Sequence, residues 1–245
     1  MAISDISNFE GIVLRITPVK EADAMVLAIG AEGFFSFYAH GVKKLTSKNA
    51  AILQPFVEGK FLLRKSSSGS LSLSESSLIA SLQPKEGDLV AMAVDSIMLE
   101  LTTRLVQEDE SASLYPYLKA ALAAINQGKD PYCAGLLYFA RVLINMGIGL
   151  NVDGCTSCGN KKDIVALSLQ EGGFLCKECA NELMVEKTPL EQLKMYRYIF
   201  KAPLEDIGRV SFEPLLGKAL YSELGRYVDD LTGVHLKSVD FLSQI

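Results

Sequence analysis

The feature that most constrains the fold of this chain is a change of period at Pro84. Before it, "GIVLRIT" (11–17), "AMVLAIG" (24–30), "FFSFYAH" (34–40), "FVEGKFLLRK" (56–65) and "SLSLSESSLI" (70–79) are short and rich in β-branched or aromatic residues. Turn signals such as Thr17-Pro18, Glu32-Gly33 and Ser68-Gly69 separate them, so they read as strands. Five short strands in about eighty residues predict a small barrel of the oligonucleotide-binding (OB) kind, whose loops and one sheet face usually bind the ligand. After Pro84 the apolar residues recur at Leu89, Val90, Ala93, Ile97, Leu101 and Leu105, a helical spacing. Segments 113–126 and 132–147 continue in that style, the second ending at Gly147 as a plausible C-cap, and 189–202 and 212–233 read as helices again.

Between the two helical stretches lies "DGCTSCGNKKDIVALSLQEGGFLCKECANE" (153–182), which holds four of the five cysteines. Cys155-x2-Cys158 and Cys176-x2-Cys179, separated by seventeen residues, have zinc-site spacing. Gly159 suits a tight knuckle, 164–169 with 174–175 a hairpin, and the second pair runs into a helical pattern. Four thiolates fill a tetrahedral zinc ion and leave no open position, so one structural Zn2+ is expected, not a catalytic one. Disulfides, a thioredoxin-like redox pair and an iron–sulfur cluster are the rival readings, disfavoured by compartment or spacing. Cys133, on an apolar helical stretch, reads as a core residue. The expected fold class is therefore α+β and multidomain: an OB-fold barrel (1–80), a helical domain in two parts (81–150 and 186–245), and a zinc-binding module (151–185) inserted between them.

Composition excludes several classes. The 245 residues are 49% hydrophobic and 22% charged, and no apolar run approaches the ~20 residues of a membrane helix. The first ten residues lack a basic flank followed by an apolar stretch, so no secretory signal is read and a cytoplasmic location is expected. Catalytic signatures are missing as well. His40 and His235 accompany no nucleophile pattern, "LLGKAL" (215–220) lacks the upstream glycine and the hydroxyl of a phosphate loop, and Glu108, Asp109 and Glu110 read as solvated acids at a helix start. An enzyme is not expected.

The net charge of −5 argues against a uniformly basic surface, but it conceals an asymmetry. From Lys43 to Lys65 six basic residues face one acid, whereas from Ser81 to Leu150 five face eight. Lys43, Lys44 and Lys48 fall in the loop after the third strand; Lys60 and Arg64 share a face of the fourth, with Lys65 on the other. Charges that track phosphates beside rings that stack on bases fit single-strand binding. The bland alternative is that the charges only solubilise and that the nearby rings, Phe34, Phe35, Phe37, Tyr38, Phe56 and Phe61, fill the barrel, which is the preferred reading for each ring singly.

The order barrel, helices, four-cysteine insertion, helices resembles the RecO family of bacterial recombination mediators. "EGIVLR" (10–15), "EAD" (21–23), "HGVKK" (40–44), "LQPF" (53–56), "LSLSESSLI" (71–79), "GIGLNVDGCTSCG" (147–159), "GGFLCKEC" (172–179) and "LKSVDFL" (236–242) carry the resemblance over nearly the whole chain. It implies a non-catalytic protein of the RecFOR repair pathway, cytoplasmic and nucleoid-associated. Such a protein binds single- and double-stranded DNA, anneals complementary strands, and works with RecR and the C-terminal tail of single-strand binding protein (SSB) in recombinase loading. Carried onto this sequence, the DNA contacts would be Lys43, Lys44, Lys48, Lys60 and Arg64, and the metal ligands Cys155, Cys158, Cys176 and Cys179. An SSB-tail groove would need a base at its rim, for which Arg141, Lys194 and Arg197 are candidates. The competing reading is a zinc-stapled protein-interaction scaffold with little affinity for DNA.

Overall fold

The computed structural model describes residues 6–19, 21–44 and 46–245; residues 1–5, on which the reading of the N-terminus partly rests, lie outside the described residues. Five strands, β1 (Ile6–Pro18), β2 (Ala24–Gly30), β3 (Gly33–Ala39), β4 (Val57–Lys65) and β5 (Leu71–Ser81), close into a barrel in the order β1-β2-β3-β5-β4. The long β1 makes closure possible: Ile12–Pro18 pairs with β2 while Ile6–Ile12 pairs with β4, and its register shifts between Val13 and Arg15. A bulge of this kind bends a strand so that it can serve two neighbours. The parallel bridge Tyr38–Ser72 seals β3 to β5. This is the OB arrangement, in which each strand has a neighbour on both sides, β3 and β5 pairing only at that bridge.

Alternation directs Val13, Val26, Phe37, Phe61 and Leu63 inward, all without solvent exposure. The β3–β4 connection supplies a plug, since Val42 and Leu53 join that core and successive turns bond Ile52 N and Leu53 N to Asn49 O. The rings Phe9, Phe35, Phe37 and Phe61 form a continuous stack with centroids 5.0 to 6.1 Å apart. Phe37 and Phe61 are thus core.

Helix α2 (Ser111–Asn126) packs on β2 and β3, so the chain up to Glu86 together with Gln107–Asn126 forms one compact unit. The change of texture at Pro84 alone would have placed α2 with the other helices. What ties it to the barrel is polar as well as apolar: the carboxylate of Glu58, 2% exposed on β4, accepts from Tyr115 Oη at 2.8 Å and Lys119 Nζ at 2.6 Å. Ser111 Oγ in turn accepts from Phe34 N at 3.0 Å.

The second unit comprises α1 (Leu89–Leu105), α3 (Pro131–Asn145), the hairpin β6 (Ile164–Ser168) and β7 (Gly173–Cys176), α4 (Lys177–Glu182), α5 (Leu190–Lys201), α6 (Pro214–Thr232) and α7 (Lys237–Gln244). Helix α3 is central. It packs against α1, α5 and α6 and is buried almost all round, as its near-continuous apolar sequence requires. A Cβ on Gly135 would strike the Tyr221 hydroxyl and a Val94 methyl, so only glycine admits this approach. Asp130 caps α3 through Tyr132 N and Cys133 N, and Gly147 (φ +75°) follows its end.

Candidate nucleic-acid interface and metal centre

The first cysteine pair sits in a knuckle. Gly159 N donates to Cys155 O at 2.8 Å and Cys155 N to Asn160 O at 2.7 Å, with Gly159 at φ +76°, a left-handed conformation that favours glycine. The second pair straddles the end of β7 and the first turn of α4, so Cys176 and Cys179 project to the same side. The hairpin between the pairs then folds the two knuckles together. All four sulfur atoms lie within 4.8 Å of one another, and Cys158 Sγ is 3.7 Å from Cys176 Sγ. Ligands ~2.3 Å from a tetrahedral ion stand ~3.8 Å apart, so the arrangement fits a closed four-thiolate metal site.

The local electrostatics agree. Burial alone would raise the Cys155 thiol, but the backbone N–H groups of Cys176, Cys158 and Ser157 draw it down to about 6. Donation of its own S–H to the Cys158 sulfur, with burial, pushes Cys179 well up. Thiols crowded around one point shed their first proton easily and their last with difficulty. The apolar support is slight, consisting of Ala166, Leu175 and Ala180 with Ile164, Val165 and Val185 at the margin. Cys133 is apart from this cluster, fully buried in α3, and burial pushes its thiol up to about 12.

Lys43, Lys44 and Lys48 are exposed on the β3–β4 connection, and among the described residues none forms an ion pair with a carboxylate. Their loop is held in place. Asp23 Oδ1 accepts from Gly41 N and Oδ2 from Tyr38 Oη, both at 2.7 Å, while Lys43 N donates to Ala22 O. Asp23 was not singled out as a functional residue by its chemistry; its signal was only its place in "EAD" (21–23). His40 is exposed, 3.6 Å from Asp23 Oδ2, and its ring meets Tyr38 edge-on. A cleft of about 420 Å³ beside Lys43 and Lys44 is floored by Ile16, Val42 and Leu53.

Lys60 and Arg64 stand on the outer face of β4, as alternation requires. They are not equivalent to the loop lysines. Lys60 Nζ lies 2.9 Å from Glu10 Oε1 across the strand pair, so its charge is answered locally. Two of the three groove candidates are engaged. Arg141 donates to Ala202 O and Arg197 to Val152 O, each at 2.6 Å, so both pin backbone, while Lys194 is exposed on α5. His235 bridges Asp229 at 2.9 Å and Asp240 at 2.8 Å, which raises its pKa and ties α7 to α6.

Comparison with known proteins agrees with this architecture. The family model described as "Recombination protein O N terminal" matches residues 1–82, and that described as "Recombination protein O C terminal" matches residues 86–240. The "DNA repair protein RecO" of Bacillus mycoides (strain KBAB4) is 32% identical over 240 residues, 96% of either chain. Those of Bacillus pumilus (strain SAFR-032) and Halalkalibacterium halodurans are 30% and 28% identical, over 96% of this chain and 93% and 94% of theirs. With both of its parts matched and a near-full-length relative at 32% identity, the chain belongs to the RecO family.

Proposed function

We propose that this chain is a non-catalytic recombination mediator of DNA repair that binds single- and double-stranded DNA through its barrel. In this reading it anneals complementary strands and acts with RecR and the SSB tail in loading recombinase. The observation that carries the DNA reading is the group of exposed loop lysines, Lys43, Lys44 and Lys48, which have no carboxylate partner among the described residues and lie at one end of a closed OB barrel. Arg64 extends the strip along β4, and Lys60, tied to Glu10, contributes least. The ion in the cysteine cluster is zinc in this reading. It would fill its coordination with Cys155, Cys158, Cys176 and Cys179 and serve to fold the module, with no open position for chemistry.

The test is fluorescence anisotropy with an oligo(dT) strand across a salt series. Three phosphate contacts give a logarithmic salt slope of about −2 on a single strand. The double substitution Lys43→Ala and Lys44→Ala should flatten that slope by about 1.4 and weaken binding, with the melting temperature unchanged. Absence of binding at low salt would favour the zinc-stapled scaffold instead. Annealing of SSB-coated complementary strands tests the mediator role directly, and no acceleration would refute it.

A further inference from the structure

The end of the barrel opposite the lysine loop has a different chemistry. Pairing of Gly30 with Gly33 and of Ala24 with Ala39 puts the β2–β3 turn one full strand length, roughly 20 Å, from the start of that loop. Here a cleft of about 620 Å³ opens between the first residues of β1 and the β2–β3 turn. Its floor is aromatic. Phe35 lies across Gly11 and Gly30, where any Cβ would meet its ring, and stacks on Phe9 with centroids 5.0 Å apart. Both rings are partly exposed, unlike Phe37 and Phe61 deeper in the same stack.

The rim is acidic. Glu10 and Glu32 line the cleft, and the start of α2 abuts it, with Glu108 O, Ser111 Oγ and Ala112 N against Gly33 and Phe34, so the exposed acids Glu108 and Asp109 belong to the adjoining turn. The nearby base Lys60 is engaged by Glu10. A phosphate backbone would be repelled here, whereas a guanidinium can lie over the exposed rings and still reach the carboxylates. We infer that this end of the barrel is a docking surface for an arginine-bearing segment of a partner protein, separate from the DNA-binding end. The barrel would then hold polyanion at one pole and a cationic chain at the other. Both could be engaged at once.

The experiment uses the full-length, isotopically labelled chain and a short amidated peptide alternating arginine with glycine and leucine. Amide resonances of Gly30–Phe35 and Glu108–Ser111 should shift on titration, and the same peptide with citrulline for arginine should shift none of them. Glu32→Lys should weaken the peptide about fivefold. Glu32→Gln should weaken it less, and Asp230→Lys on α6 should leave it unchanged. Oligo(dT) should leave the cleft resonances unmoved, and Glu32→Lys should not reduce its affinity, so this inference and the DNA reading fail separately. Peptide shifts spread over other acidic surfaces, absence of shifts, or cleft shifts produced by oligo(dT) would each overturn it.

Discussion

Each of the two units buries a carboxyl group in a place where water cannot reach it, and they treat it in opposite ways. In the barrel unit Glu58 accepts from both Tyr115 and Lys119, and the three residues bind α2 to β4. In the helical unit Asp95, fully buried on α1, has no hydrogen-bond partner for either oxygen among the described residues. Burial, with a contribution from Asp88, therefore pushes its pKa up to about 8, and it is held neutral at pH 7. The barrel rests on a closed ladder and an apolar stack in which the buried charge is compensated. The helical unit depends more on groups whose state follows the solution: a thiolate cluster, an unpaired acid and a histidine clasp. Metal and pH should consequently act on the second unit and spare the first.

Metal removal should give the largest difference. Chelation, or Cys176→Ser, should melt the hairpin and α4, since a structural ion such as the zinc proposed above contributes on the order of 10 kcal/mol to the folding of its module. Amide exchange should then be fast in 164–182 and still slow in β1–β5. Equal loss of protection in both would break the comparison.

Asp95→Asn should come next, as a gain. Because the folded pKa lies above the unfolded value, the folded state holds a proton that the unfolded chain releases, and stability falls as pH rises from about 4 to 8. Removing that group should stabilise the protein by roughly 2 to 4 kcal/mol at pH 7 and flatten the pH dependence of urea unfolding. Lys119→Met should do the reverse at Glu58, costing about 2 kcal/mol, because the carboxylate keeps only its tyrosine donor.

The His235 clasp should have a smaller, local effect. Its raised pKa means that its stabilisation is complete below the unfolded value near 6.5 and is lost as pH rises through the folded one. Exchange protection of α7 should decline over that window and become independent of pH there in His235→Ala. Buried Val239 and Leu242 also hold α7, as does Glu100, which accepts from Ser238 N at 3.0 Å and whose pKa, against the opposing effect of burial, is lowered by its Ser238, Arg104 and Lys237 donors. Smallest of all should be Lys60→Ala. Its pair with Glu10 is exposed and screened by solvent, so stability should hardly change, and its loss should weaken DNA binding less than loss of Lys43 or Lys44.

Much of the fold was legible in the chain. Alternation located all five barrel strands, helical spacing located α1, α2, α3, α5 and α6, and the cysteine spacing anticipated the knuckle, hairpin and helix. Short elements were harder to see. Helix α7, eight residues long, has too few turns to display a period, and its start is stabilised from a distance by Glu100 on α1. The basic residues were all visible as charges, but their difference was not. Lys60 and Lys44 look alike in one dimension, and only the β1–β4 register puts Glu10 against the first.

The sequence alone therefore determined which of the longer segments become strand or helix and which four thiols can share an ion, because period and short-range spacing depend on neighbours along the chain. Tertiary structure decided which charges are answered and which are free, that α2 belongs to the barrel, that Leu53 plugs it, and that Glu58 is paired while Asp95 is not. Those outcomes depend on residues brought together from distant parts of the chain, and the strength of a charge is set by what lies within a few ångströms of it in space.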